Sequence, residues 1–252
     1  MSWCDKLAST PTVGFTLDWH FVPSSAILQA FSTILDKLVQ DNKQMFTVER
    51  QEPFNLTFTT YDGYQYSIEP SKVAVSFQHR LKVKHVSGGP PTMELLSIPT
   101  PFSKLLPIVA NKLIEAALLL PGAPARTISR IGIVSTTLVA IDEVPPGIAR
   151  FIKYIGRPWK GSVDNFNVQI VADLNKTTKW SDRCVHLLVK PEDREQVPAV
   201  QFDWQRTFSS GQPLTHDSLK DIMASAETAS LKYLEELAEG SQFDEDLIRS
   251  TT

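Results

Sequence analysis

The sequence predicts an α+β fold, a curved and mostly antiparallel sheet with helices on one face, built from two pseudo-repeats of strand–helix–strands–helix. Alternation is the first reason. Phe54, Leu56 and Phe58 interleave with Asn55, Thr57 and Thr59, the period of a strand with one dry and one wet face. The second is a set of four segments whose apolar residues recur at helical spacing. The third is repetition. Val13-Gly14-Phe15-Thr16 opens a strand ahead of a helix start at Pro23-Ser24-Ser25, and about 120 residues later Ile131-Gly132-Ile133-Val134 and Pro145-Pro146-Gly147 do the same. Residues 1–252 are read as one domain, with repeats at about 12–120 and about 127–240, a short join at Pro121–Arg126 and a frayed acidic tail at 241–252.

Each element has its own signal. The first strand runs from Val13 to Phe21, and Ile27, Leu28, Phe31, Ile34, Leu35 and Leu38 predict a helix over Ser25–Asp41. Asp62-Gly63 predicts a hairpin between Phe54–Phe58 and Tyr64–Ile68. Val73, Val75 and Phe77 predict a strand continuing through Leu81 and Val83, and Gly88-Gly89-Pro90-Pro91 breaks the chain. Leu105 to Leu120 predicts a helix stopped by Pro121-Gly122. In the second half, Ile131–Ile141 reads as a strand and Ile148–Ile155 as a short helix. Phe166, Val168 and Ile170 alternate, Val185–Val189 reads as a strand buried on both faces, and Val200, Phe202 and Trp204 alternate again. Leu219 to Leu237 closes the half as a long helix, with Thr215 as its cap and Asp217 in its first turn.

Bulk properties narrow the function classes. A net charge of −3 and a pI near 6 lack the overall basic excess of a dedicated nucleic-acid binder, although a local basic stripe is compatible with both. Two cysteines, Cys4 and Cys184, are too few for a disulfide framework. The N-terminus lacks a basic-then-apolar signal pattern, and Leu113–Leu120 is far short of a membrane span, so a cytoplasmic location without membrane contact is the expectation.

The chemistry-bearing residues are sparse. Glycine-rich phosphate loops, a nucleophile elbow, an HExxH pattern and paired CxxC are all missing, so no catalytic residue, metal ligand or cofactor is assigned. Cys184 and His186 lie two apart in a strand and share a face. A thiol beside an imidazole suits a nucleophile and its base or two metal ligands, but either needs a third group such as His20 or Asp203. Arg80, Lys82 and Lys84 form the densest basic stretch and share one strand face. They read either as a phosphate stripe or as lysines guarding a sheet edge. The polar positions of the alternating strands include Asn55, Thr57, Thr59, Gln78, Asn167, Gln169, Gln201 and Gln205. They read either as an ordinary solvated face or as a binding face rich in amides and hydroxyls.

Arg130-Ile131-Gly132-Ile133, the passage from Ile141 to Ile155, and Val200-Gln201-Phe202-Asp203-Trp204 before a long terminal helix resemble an uncharacterised, sporadically distributed bacterial family of about 250 residues. Members continue the first motif with an aromatic residue and an asparagine, where this chain has Ser135-Thr136-Thr137. The resemblance implies no assigned activity, and a patchy distribution implies horizontal transfer and a role in mobile-element biology or defence. The element order also resembles, in topology alone, the duplicated saddle of the TATA-binding protein class.

The expected function is therefore a non-enzymatic binding or interaction module that uses an open polar sheet face, with an unidentified protein, peptide or nucleic-acid ligand. A nucleic-acid contact protein using Arg80, Lys82 and Lys84 is the alternative, and an enzyme or metal site at Cys184 and His186 is a further one. Pairable strand edges lead to the expectation of a homodimer.

Overall fold

In the computed structural model the alternating segments become strands, and alternate residues such as Val13 and Phe15, Leu56 and Phe58, and Tyr66 and Ile68 are buried. The structure describes residues 2–18, 24–40, 46–52, 55–79, 81–84, 92–95, 100–138, 144–156, 160, 166–190 and 199–243. In chain order the elements are α1 (Trp3–Leu7), β1 (Thr12–Leu17), α2 (Ser24–Gln40), β2 (Phe46–Glu52), β3 (Asn55–Thr60), β4 (Tyr64–Glu69), β5 (Lys72–Phe77), β6 (Leu81–Lys84), β7 (Thr92–Leu95) and α3 (Phe102–Leu118). A 3₁₀ turn (Ala123–Ala125) leads into β8 (Thr127–Leu138), α4 (Pro146–Gly156), β9 (Phe166–Lys176), β10 (Trp180–Lys190), β11 (Ala199–Pro213) and α5 (His216–Glu239).

The fold is α+β. Nine strands form one open antiparallel sheet in the order β2-β3-β4-β5-β1-β8-β11-β10-β9, and β6 pairs with β7 apart from it. At its centre β1 pairs with β8, with Gly14 opposite Gly132, Val13 opposite Ile133 and Phe15 opposite Ile131. Val13, Phe15, Ile131, Ile133 and Trp204 are fully buried, and they join Leu105, Leu113, Leu219 and Leu234 of α3 and α5 in one core. α3 lies against β5 and β1, α5 against β11, and α1 against β8, α3 and α5. Each large apolar side chain sealed there stabilises the fold by about 1.5–3 kcal/mol.

Two carboxylates fasten the helices end to side. Glu235 of α5 accepts the backbone N–H groups of Trp3 and Cys4 at 3.1 and 2.9 Å, satisfying the free donors at the start of α1. Asp5 of α1 accepts the Ser103 N–H at 2.8 Å and does the same for α3, whose own cap position is Pro101.

The chain departs from the sequence reading in several places. The strand expected to continue from Val73 to Val83 stops at Phe77, and β6 belongs to the separate hairpin, because the register of β5 with β1 ends at Ser76. α1 is a fifth helix that five residues are too few to announce by periodicity. Val185–Val189 is buried on one face only: Cys184, His186 and Leu188 are buried, whereas Val185, Leu187 and Val189 are half-buried on the other side. Thr215 occupies the cap position of α5 without a side-chain capping bond. Of the tail expected at 241–252, residues 241–243 are described. The Ser241 N–H is bonded to the Glu236 carbonyl, and Phe243 stacks on Phe151 at 5.5 Å; 244–252 lie outside the described residues.

Beneath the sheet sits a buried ion pair. Arg206 donates through Nε and Nη2 to the two Asp182 oxygens at 2.7 and 2.8 Å, and through Nη1 to Ser225 of α5 at 2.8 Å. Its guanidinium lies 4.9 Å from the Trp180 ring and 5.2 Å from the Trp204 ring. Bidentate geometry and two aromatic faces offset the desolvation of both charges. Asp182→Ala strands the buried cation and is expected to lower unfolding free energy by about 3–5 kcal/mol, while Asp182→Leu combined with Arg206→Met is expected to cost less than Asp182→Ala alone. Urea denaturation of the three proteins checks this.

Candidate functional site

Period-two geometry gives the sheet two chemically distinct faces. The buried face carries Cys184 and His186. His186 Nε2 lies 2.8 Å from the Tyr233 hydroxyl of α5, and the Cys184 sulfur lies 3.9 Å from His186 Nδ1. Burial drives the Cys184 thiol far above its ordinary pKa and pushes Cys4 up to about 11, so neither sulfur is a thiolate at neutral pH. Burial also drives His186 down to about 4, leaving the ring neutral and bonded to a phenol. Asp203, a suggested third member, lies across from Val185 on the opposite face, and His20 lies outside the described residues. Among the described residues no three His, Cys, Asp or Glu side chains gather as metal ligands. The pair joins β10 to α5 within the core.

An uncharged buried imidazole gives stability a defined pH dependence. Between about pH 6.5 and about 4 the unfolded chain takes up a proton that folded His186 refuses, so stability is full above that window and falls as pH drops through it. His186→Gln is expected to lessen the loss of stability between pH 7 and pH 5, measured by urea unfolding at both values. An unchanged pH dependence contradicts this account.

The opposite face carries the polar positions singled out in the sequence. At one end Thr59 and Gln65 donate to the two Glu49 oxygens at 2.5 and 2.6 Å, and Gln78 donates to Gln65 at 3.1 Å. Thr57 donates to Asn55 at 3.2 Å. At the other end Gln201 of β11 and Gln169 of β9 both sit opposite Leu187 of β10, and Asn167 sits opposite Val189. Gln205 donates to Asp203 at 2.9 Å and accepts from Arg130 at 3.4 Å. The basic stretch lies elsewhere. Lys82 and Lys84 belong to β6, where Lys82 pairs in register with Glu94, and Arg80 lies outside the described residues.

The centre of this open face holds residues that the sequence did not mark as a site. Ala74, Gly14 and Gly132 are register neighbours on β5, β1 and β8, and they floor a cavity of about 200 Å³ rimmed by Thr12, Thr16, Lys72, Arg130, Asp203 and Gln205. A second cavity of about 410 Å³ adjoins it, shares Arg130 and Gln205, and takes in Lys176, Ser181, Arg183 and Thr207. The register explains the gathering. Lys72, Thr16, Arg130, Thr207, Ser181 and Lys176 are successive partners across β5, β1, β8, β11, β10 and β9, so three cations and three hydroxyls stand in one transverse row. Both glycines were visible at matching places in the two halves, but only the pairing of β1 with β8 sets them side by side.

No protein-family model matches the chain, and no curated protein matches it.

The two glycines are not equivalent. A side chain on Gly14 would meet Ala74 Cβ and the Val73 carbonyl at 3.3 Å, a tight approach that favours glycine there. Above Gly132 nothing lies within 4 Å, and its backbone does not adopt a positive φ. A mid-strand glycine usually costs stability, and packing does not account for this one. Gly132→Val is expected to be neutral or to stabilise by about 0.5–1 kcal/mol, and Gly14→Val to destabilise by about 1–3 kcal/mol. Thermal and urea unfolding of both variants tests the distinction.

Proposed function

We propose that the protein is a binding module whose ligand lies on the open polar face of the nine-stranded sheet, centred on the cavities at Gly14, Gly132 and Arg130. The observation that carries this reading is Gly132, a strand glycine that leaves open space between half-exposed polar side chains although neither packing nor backbone conformation calls for glycine. The amides Asn167, Gln169, Gln201 and Gln205 and the hydroxyls Thr57 and Thr59 supply donors and acceptors on the same side. The Cys184–His186 pair favours no catalytic reading, since its thiol is buried and stays protonated.

The same proposal includes the pseudo-repeat and the bacterial family. Each half places its first strand beside the last strand of its own meander, β1 beside β5 and β8 beside β11, and these pairs meet at β1 and β8. Two of the three motifs that resemble the family are neighbours in space, with Ile133 opposite Trp204 and Gly132 opposite Gln205. A homodimer through a sheet edge belongs to the reading as well. β9, an edge strand of eleven residues, leaves Val171 half-exposed.

A screen blind to ligand class tests the central claim. The full chain is exposed to a polar-metabolite collection by thermal shift, and to random peptide and oligonucleotide pools by selection. Every positive is then retested on Gly132→Leu, which fills the cavity, and on Lys220→Ala, an exposed control on α5. Positives lost in Gly132→Leu and kept in Lys220→Ala are expected. An absence of positives, or positives indifferent to Gly132→Leu, overturns the proposal.

A further inference from the structure

We infer that the paired cavities on the open face bind a phosphorylated small polyol, a sugar phosphate or a nucleoside monophosphate, with the phosphate in the larger cavity and the polyol over the glycine floor. This inference rests on the binding-module reading above and names the ligand class.

The charges decide where the phosphate goes. The larger cavity gathers Arg130, Arg183 and Lys176 with the hydroxyls of Ser181 and Thr207. Of its carboxylates, Asp173 is paired with Arg183 at 2.9 Å and Asp182 is consumed beneath the sheet by Arg206. Arg130, by contrast, donates to the neutral acceptors Thr16 at 3.3 Å and Gln205 at 3.4 Å. What remains is close to two positive charges, and a phosphomonoester carries about −1.5 to −2 at neutral pH. A planar guanidinium on neutral, long hydrogen bonds can exchange them for shorter charge-assisted bonds to phosphate oxygens. At about 410 Å³ the cavity is within the size range of small-molecule sites.

The smaller cavity has complementary chemistry. Its floor of Gly14, Gly132 and Ala74 brings a ligand close to the sheet, while Asp203, Gln205 and Thr12 offer acceptors and donors suited to hydroxyl groups. The shared Arg130 and Gln205 join the two cavities, so one molecule can reach across both. The described residues of this face present no exposed aromatic ring in either cavity on which nucleic-acid bases could stack. That favours a small phosphorylated molecule over a single-stranded polynucleotide.

Isothermal titration calorimetry on the full chain at low ionic strength tests the inference with ribose 5-phosphate, adenosine 5′-monophosphate, ribose, inorganic phosphate and an oligothymidylate. At least one of the two phosphorylated polyols is expected to bind about ten-fold or more tightly than inorganic phosphate, and ribose not measurably. Arg130→Ala is expected to weaken that binding by about ten-fold or more. Gly132→Leu is expected to reduce it to the level of inorganic phosphate while leaving inorganic phosphate itself unaffected. Both positions tolerate change, since Arg130 is exposed and the space above Gly132 is open. Failure of both phosphorylated polyols to bind, affinity no better than that of inorganic phosphate, indifference to both substitutions, or tighter binding of the oligothymidylate each overturns the inference. The binding-module reading survives those results if the broader screen yields another ligand sensitive to Gly132→Leu, and falls with them if it does not.

Discussion

Antiparallel pairing of β1 with β8 is the constraint on which the rest of the molecule depends. It joins a five-stranded and a four-stranded group into one sheet. The register places Val13 and Phe15 against Ile133 and Ile131, so the dry faces of both groups become continuous and can be covered by α1, α3 and α5 in a single core. A slip of one residue would turn every one of these side chains to the opposite face. The burial of Phe15, Ile131 and Trp204 thus holds the register and, through it, the position of Gly14 beside Gly132 on the other side.

The two faces are chemically separate because alternation sorts the side chains. Among the described residues few polar side chains are buried, and those between the sheet and α5 are matched. Arg206 has Asp182 and Ser225, and His186 has Tyr233. Each of these contacts spans from the sheet to α5 or between adjacent strands, where an unmatched polar group would be costly to bury. The open face has less stringent demands, and its amides and hydroxyls keep hydrogen-bonding capacity for other partners. Cys184 illustrates the consequence: two residues from an imidazole in sequence, it is placed by strand parity on the face where reactivity is suppressed.

Much of the sheet was legible from local pattern. Asn55–Thr60, Tyr64–Glu69 and the Val200–Trp204 stretch of β11 follow period two, and the α3 and α5 stripes follow the helical period, because burial against a neighbouring layer imposes those periods whatever the partner is. Less was legible where the cause is not local. α1 is too short for a period to emerge, and its start is satisfied by Glu235 from the far end of the chain. The break between β5 and β6 is set by where β1 stops offering partners, which the alternation of Val73 to Val83 does not record. Val185–Val189 looked buried on both faces because apolar residues half-buried on an open sheet face and those in a core have the same composition.

By itself the sequence determined the class of the fold, the parity of each strand and hence which polar residues share a face, since these depend on side-chain spacing along one segment. Tertiary structure alone decided which strands became neighbours. That choice drew Lys72, Thr16, Arg130, Thr207, Ser181 and Lys176 from six separate strands into one row and set two distant glycines side by side. The physical reason is that a transverse row across a sheet has no period in the chain. Its members are fixed by hydrogen-bond register, and register is chosen by the burial of the opposite face.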